Sequence, residues 1–455
     1  MEKLLLVRHG ESYGNSKNII QGKCNFSLTD KGKNDTRQIV NDKIELFEKY
    51  DSIISSTLIR CLQTSNIISS IIHKEIVYDT LVEEFSAGMI EGLAKMVVQS
   101  KFPEYYKIWQ TRDDLDNIPF AESGDDLQIR VLMFLEQFMN KEYNSIVVSH
   151  AGFIRCLYNT INGLKRNTLL NIENNKIYEV ERVFENIPVK EHTIARNSKV
   201  FEFETYEKKY IIKKMNRLLE LKDYNEFALI DYLSHFSHNV PKIIKIINRD
   251  NKYSIKGIEY KPGTNIYDNL TEGKIKATIL ELNRLQNILE HCPLNGRYDI
   301  NDMEKNIVSA VSKVHTPEIA AYGMELLNSR PFLNGIKNDN KILVHDDLHR
   351  GNILYDNERV YFLDFEGVSI FPKSYQLASH IAASYILNNS NVSINYLINL
   401  WPEKIDFNYL KELIKYRLFM GACYFDEKCN NIYDNEDVNL KKKYILSLRK
   451  LDGRK

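Results

Sequence analysis

The sequence has no pair of cysteines at zinc-type or CxxC spacing. Its six, Cys24, Cys61, Cys156, Cys292, Cys423 and Cys429, are scattered over 455 residues. That excludes a structural zinc module and a disulfide-stapled scaffold; in a chain this long it reads as the reduced thiols of a cytoplasmic protein. No apolar run approaches the roughly 18 residues of a membrane span. Leu4 to Val7 is cut off by Arg8-His9, too short for a signal peptide. A charge excess is missing too. Lys plus Arg and Asp plus Glu each number 61, so no global field favours nucleic acid or an anionic membrane as partner. Repeats and low-complexity tracts are absent. A chain of this length holds two or three domains, each able to bury a core.

What is present is chemistry. The stretch Leu343 to Gly367, LVHDDLHRGNILYDNERVYFLDFEG, reads as two short apolar strands that deliver acids to one place. The first ends in His345-Asp346-Asp347, with Asn352 five residues beyond Asp347. The second, Val360 to Leu363, ends in Asp364, and Asp356-Asn357-Glu358 between them is a hairpin signal. Transfer of a nucleotide's γ-phosphoryl group needs a carboxylate to orient the attacking hydroxyl and oxygen ligands for Mg2+. Asp347 suits the first role, Asn352 and Asp364 the second. HDDLHRGNIL followed by FLDFE resembles the aminoglycoside phosphotransferase and choline kinase group, which shares the protein-kinase fold and uses ATP.

The chain begins with another pattern. LLLV runs into Arg8-His9-Gly10, and SIVVS, Ser145 to Ser149, runs into His150-Ala151-Gly152. Such runs read as central strands of a parallel sheet, whose ligand crevice lies beyond the strands' carboxyl ends. A third strand, Ser52 to Ser55, precedes STLIRCLQTS. A helical pattern covers Gly124 to Asn140, with Leu127, Val131, Leu135 and Phe138 on one face. Together these predict a doubly wound α/β domain.

RHGESYGN, IIQGKCNFSLTDKG, STLIRCLQTS, FSAGMIEGL, AESGDDLQIR and VVSHAGFIR, in that order, resemble the histidine phosphatase superfamily, the phosphoglycerate-mutase-like group. The resemblance implies a three-layer α/β domain with His9 as nucleophile through a phosphohistidine. It gives Arg8, Arg60, Asn15 and His150 the phosphoryl oxygens. A carboxylic acid must protonate the departing alkoxide and then activate water. Counting back from Gly88, Glu91 and Gly92 selects Glu84, with Glu83 as the runner-up. The domain is short for a mutase, and the chemistry needs no metal. Thr57 stands where the family usually has proline, and Ala151 where glycine is common.

Around Asn171 to Pro188 the periodicity degrades, placing a boundary between domains 1–182 and 183–455. The second reads as an α+β two-lobed kinase-like domain, small lobe about 190–265 and large lobe about 266–455. Lys199 to Thr205 and Lys209 to Lys213 flank a charged turn. IARNSKVFEF resembles the nucleotide-covering hairpin, although Ala195-Arg196 replace frequent glycines. By the same resemblance Lys213, favoured over Lys214, would contact the α- and β-phosphates. Glu226 would pair with it, and Glu259 and Tyr260 would form the adenine hinge. Residues 271–291 form an amphipathic helix with Ile275, Ile279, Leu282 and Leu289 inward. Gln376 stands where an aspartate often braces the catalytic loop.

The two resemblances together imply one chain with a phosphate-removing and a phosphate-adding centre. The expected partners are a small-molecule phosphate ester and a hydroxyl acceptor among sugars, polyols or amino alcohols. The centres would serve successive steps toward a glycan precursor. A kinase-like sensor regulating the phosphatase, and a mutase fused to a kinase, are the alternatives. Neither substrate nor oligomeric state is legible.

Overall fold

The computed structural model of the chain describes residues 3–111, 115–139, 144–168, 170, 172–192, 198–237, 239–249, 251–294, 298, 301–357, 359–387, 390–431 and 435–454. Ala195-Arg196 of the expected nucleotide-covering hairpin, Glu358 of the turn, Asn140 and Asn171 lie outside the described residues.

The short apolar runs become a sheet. β1 (Lys3–Arg8), β2 (Ser52–Ser55), β3 (Ile76–Tyr78), β4 (Asn144–Ser149) and β5 (Ile177–Glu181) pair in the order β3-β2-β4-β1-β5. All neighbours are parallel except β5 against β1. The runs are unbroken because both faces are covered. Leu4 and Leu6 face one core, Leu5 and Val7 the other. Helices α1 (Tyr13–Ser16), α2 (Asp30–Asp42), α3 (Ile44–Phe47) and α4 (Ile59–Ile72) lie early in the chain. Val40 of α2, Phe47 of α3 and Ile68 of α4 fill the Leu5 side. After α5 (Lys95–Lys101) and α6 (Pro103–Thr111) come α7 (Gly124–Glu136) and α8 (Ala151–Ile161), which fill the Leu4 side. The result is the expected α/β sandwich of three layers.

A second sheet, antiparallel throughout, is built from β6 (Val189–His192), β7 (Ser198–Glu204), β8 (Lys209–Met215), β9 (Ile243–Arg249) and β10 (Tyr253–Glu259), in the order β6-β7-β8-β10-β9. It belongs to the same compact unit as the first sheet. The chain divides into Met1–Leu219 with Ile243–Tyr260, and Glu220–Lys242 with Lys261–Lys455. Compaction therefore does not follow the division expected at 182/183. The reason lies in α7, where Ile129, Arg130, Leu132, Met133 and Phe134 are buried besides the residues of the expected inward face. A helix buried beyond a single stripe needs cover on more than one side. Phe201, Phe203, Tyr210, Ile212 and Ile255 of the second sheet share its core.

The second unit contains α9 (Leu221–Ser234) and α10 (Glu272–Glu290), the latter burying Ile275, Ile279, Leu282 and Leu289 as its spacing predicts. Its strands are β11 (Thr264–Asn265), β12 (Lys341–His345), β13 (Ile353–Asp356), β14 (Arg359–Phe362) and β15 (Val368–Pro372). They form two small sheets, β11-β13-β14 and β12-β15. The acid-bearing stretch thus makes three strands rather than two. Ile353–Asp356 pairs with β14 across a turn in which Asn357 takes a left-handed φ of 45°, and β12 pairs with β15 instead. Further helices are α11 (Met303–Lys313), α12 (Pro317–Asn328), α13 (Arg330–Asn338), α14 (Tyr375–His380), α15 (Ile394–Leu400), α16 (Phe407–Asn431) and α17 (Asn435–Leu451). No described helix is long and apolar enough to cross a membrane.

Candidate active sites

β1 and β4 are adjacent and parallel with Arg8 opposite Ser149, so His9 and His150 leave the sheet at one edge. Their ring centroids are 5.2 Å apart. His9 is buried, and its Nδ1 lies 2.7 Å from the Gly10 carbonyl. Burial, then the charges of Arg60 and Arg8, push its pKa well below the usual 6.5. A neutral ring beside a carbonyl oxygen must donate there, which leaves the lone pair on Nε2. That is the form able to attack phosphorus.

His150 has the complementary arrangement. Its Nδ1 accepts from Arg60 Nε at 3.1 Å, so Nε2 carries the hydrogen and donates to Ser56 Oγ at 2.8 Å. Cys61 Sγ lies 3.3 Å from the same Nε2, and burial pushes that thiol up to about 12, so it stays protonated. Arg60 also donates Nη1 to Cys24 O at 2.8 Å and Nη2 to Gly22 O at 2.7 Å. These bonds take three of its five N–H groups and lock the guanidinium in place. Arg8 donates Nη1 to Ile172 O, and its buried Nε has no partner among the described residues.

Asn15 sits in the first turn after Ser12. Its Oδ1 accepts from Ser12 N at 3.1 Å and Ser12 Oγ at 2.8 Å. Asn174 was not singled out by sequence. Its Nδ2 donates to His9 O at 3.0 Å, Gly10 O at 3.2 Å and Asn15 Oδ1 at 3.2 Å, tying the histidine loop to Asn15. Its place in the irregular stretch before β5 offered no local signal.

The two glutamates part clearly. Glu84 Oε1 accepts from Phe85 N at 3.1 Å and Phe153 N at 3.2 Å, and Oε2 from Gly152 N at 3.2 Å. It therefore caps α8 directly after His150. A Cβ on Gly152 would fall 2.4 Å from Glu84 Oε1, so only glycine permits that approach. Glu83 turns instead to Thr57 Oγ1 and to Lys23 Nζ at 3.5 Å. Thr57 thus has its own use, and Ala151 opens α8.

In the second unit, His345 is buried at the end of β12 and its Nε2 donates to Leu363 O at 3.0 Å. Leu363 N in turn donates to Asn352 O at 2.9 Å. Asn352 Nδ2 donates to Asp347 O at 2.9 Å and lies 3.4 Å from Asp347 Oδ2. Asp364 follows Leu363 in a left-handed turn, φ 59°. Burial lowers the His345 pKa, against the raising effect of Asp347, Asp364 and Asp346 nearby. One loop cluster therefore gathers Asp347, Asn352 and Asp364. The Asn352 amide oxygen and the Asp364 carboxylate are hard oxygen donors, the set that suits Mg2+.

Gln376 braces this loop where an acid was expected. Its Oε1 accepts from His345 N at 3.0 Å and its Nε2 donates to His345 O at 3.2 Å. Ser379 Oγ donates to Asp346 O at 2.8 Å and Ser384 Oγ to Leu348 O at 3.1 Å. Three side chains following β15 hold the loop's backbone.

The expected nucleotide contacts fall in both units. Lys213 lies on β8 opposite Lys256 and Val200. Its neighbour Lys214 pairs with Glu136 of α7 at 2.8 Å, so strand alternation turns Lys213 to the other face. Glu259 ends β10 and Tyr260 follows it, with Lys209 Nζ 5.5 Å from the centroid of the Tyr260 ring. Glu226 is buried on α9 in the second unit, and its carboxylate clusters with those of Asp223 and Glu366 within 4.8 Å.

Residues 4–191 match the family model described as histidine phosphatase superfamily (branch 1), and residues 190–398 match the phosphotransferase enzyme family. Putative phosphoserine phosphatase 2 of Hydrogenobacter thermophilus is 29% identical over 173 residues, covering 38% of this chain and 84% of its own. Phosphoglycerate mutase-like protein 4 of Arabidopsis thaliana is 31% identical over 160 residues, covering 34% and 69%. Probable phosphoglycerate mutase GpmB of Photorhabdus laumondii is 32% identical over 166 residues, covering 36% and 76%. Among solved structures, amicoumacin kinase hAmiN in complex with AMP-PNP, Ca2+ and Ami is 14% identical, covers 58% of this chain and 88% of its own, and has a TM-score of 0.46. The chain belongs to the histidine phosphatase superfamily through its first domain and continues into a phosphotransferase-family domain, two enzyme families in one polypeptide.

Proposed function

We propose that this protein is a bifunctional enzyme of small molecules, a phosphomonoesterase acting through His9 and an ATP-dependent kinase acting at Asp347. The observation that carries the first half is the His9 ring, neutral and held by its Nδ1 so that Nε2 is the free nucleophile. Nε2 attacks phosphorus while Arg8, Arg60 and Asn15 bind the phosphoryl oxygens, and His150 joins them by turning its Nε2 hydrogen from Ser56 Oγ to the phosphoryl group. The P–O bond to the substrate breaks, and the Glu84 carboxyl proton goes to the leaving alkoxide. Glu84, now a carboxylate, takes a proton from water. The water oxygen displaces Nε2, releasing phosphate and restoring the acid. No metal enters these steps.

In the kinase half, Asp347 orients the acceptor hydroxyl and receives its proton as the oxygen attacks the γ-phosphorus of ATP; the bond from that phosphorus to the β,γ-bridging oxygen breaks and ADP leaves. Lys213 serves the α- and β-phosphates, Glu226 is the helix glutamate of the family pattern, and Glu259 and Tyr260 meet adenine. Asn352 and Asp364 would hold Mg2+, which supplies charge neutralisation on the transferring group. The acceptor is a sugar, polyol or amino alcohol. If both centres acted on one oxygen of one molecule, the net result would be ATP hydrolysis alone. They therefore act at different positions, at successive steps toward a glycan precursor. The six unpaired thiols suit a reducing cytoplasm.

The names of relatives cover phosphatases and mutases, so a bisphosphate primer should be tried beside water as acceptor. Trapping an acid-labile phosphoryl group that disappears in His9→Ala tests the first half. A mass-shift screen of hydroxyl metabolites with MgATP and the His9→Ala protein tests the second, because added phosphate then persists. Asp347→Ala should abolish ATP consumption and leave the phosphatase untouched. Loss of both activities together would favour a regulatory role for the kinase-like part.

A further inference from the structure

The sheet β6–β10 lies largely within the phosphotransferase-family match, yet it is built onto the phosphatase. Its bulky residues share a core with α7, and Gly257 of β10 comes so close that a Cβ there would lie 2.8 Å from Ile129 Cγ1. Polar struts reinforce the contact. Lys214 pairs with Glu136 at 2.8 Å, and Tyr210 donates its hydroxyl hydrogen to Asp125 Oδ1 at 2.9 Å. From the end of β9, Arg249 donates Nη1 to Asp79 Oδ2 at 2.7 Å and Nη2 to Gln137 Oε1 at 2.9 Å.

The Arg249 strut is the one that leads to chemistry. Asp79 is 5% exposed in its side chain and Arg249 11%, so the bridge is buried and breaking one side strands a charge. The other oxygen of Asp79 accepts from Leu81 N at 2.9 Å, which opens the tight turn Thr80–Val82. From α7, Arg130 donates Nη1 to Leu81 O at 2.6 Å and Glu83 O at 2.7 Å, while Glu122 grips its other edge at 2.8 Å. Ser149 Oγ holds Val82 O at 2.6 Å. The segment is thus clamped residue by residue up to Glu84. One clamp is supplied by the other enzyme family's sheet.

We propose that Arg249 is a positioning residue of the phosphatase: through Asp79 and the Thr80–Val82 turn it keeps Glu84 at the α8 terminus, where it protonates the leaving group. This rests on the phosphatase reading above. Loss of the clamp should harm the step in proportion to how badly the leaving oxygen needs a proton. Attack by His9 on an ester that needs no acid should be spared.

The test is rapid-quench measurement of phosphoenzyme formation in the full chain, with p-nitrophenyl phosphate and phenyl phosphate as aryl esters whose leaving oxygens differ in their need for a proton. In Arg249→Gln, formation from the p-nitrophenyl ester should stay within about twofold, while formation from phenyl phosphate falls about tenfold or more, part of the usual general-acid contribution. Arg249→Lys, which keeps a charge for Asp79, should recover part of the loss. Should Arg249→Gln fail to fold, Asp79→Asn keeps a side-chain oxygen for Leu81 N and must show the same selectivity. Equal loss with both esters, or no loss with either, overturns the inference while the phosphatase reading stands. An unmodified chain that forms no phosphoenzyme from either ester removes that reading and the inference with it.

Discussion

Buried histidines set how this chain responds to acid. His380 is enclosed, and burial pushes its pKa down to about 4; His9, His150 and His345 are lowered as well, burial first among the causes. The unfolded chain binds these protons near pH 6.5, the folded chain only at lower pH. Folding stability from these groups is therefore whole above about 6.5 and is lost as pH falls toward the folded values. For His380 alone the loss by pH 4 is on the order of 3 kcal/mol. Urea midpoints should drop steeply between pH 6.5 and 4, and His380→Gln should flatten part of that slope. Gln376 is the second residue with a definite expectation. As Glu it could no longer donate to the His345 carbonyl and would oppose it, a cost of about 1–3 kcal/mol in loop geometry. Steady-state assays of Gln376→Glu should show kinase turnover about tenfold lower and phosphatase turnover unchanged. At this scale the motifs marked most of the candidate sites: His9, Arg60, His150, Asp347, Asn352 and Asp364 all stand in ordered blocks. Asn174 did not, because an asparagine among turn residues has no pattern until the backbone brings it to His9.

At the scale of elements, α7 decides the architecture. Its sequence, GDDLQIRVLMFLE, shows one inward stripe at helical spacing, yet Ile129 and Met133 are buried outside that stripe. The stripe is visible in the sequence; the second cover is not, since the covering strands come more than sixty residues later. Gly257 is the tightest point of that cover. Gly257→Val should force the sheet from Ile129 and lower stability by about 1–3 kcal/mol, read from urea unfolding of the full chain. After α14, a π-helical stretch, Ile381–Ile386, places Ser384 on Leu348 O while Ser379 reaches Asp346 O. Such widened turns recur at functional sites. They carry no sequence signature that could have announced this one.

For the whole molecule, family boundary and compaction boundary differ. The two family matches meet at residues 190–191, whereas the compact units exchange chain at Leu219, Lys242 and Tyr260. A fragment of residues 1–182 would expose the outer face of α7 and lose the Arg249 clamp on Asp79. Such an apolar face promotes association. The fragment should melt lower than the intact chain and aggregate, as scattering during a thermal ramp would reveal. A fragment as stable as the whole would mean that the second sheet adds nothing to α7.

Local order along the chain determined the chemistry: strand-end histidines, a glutamate four residues before Gly88, and an acid-asparagine-acid series each need only short-range spacing to be recognisable. Which neighbour covers α7, which strand β12 pairs with, and which arginine holds Asp79 were decided by tertiary structure. Those contacts join residues far apart in sequence, and no local preference distinguishes one distant partner from another until both surfaces exist.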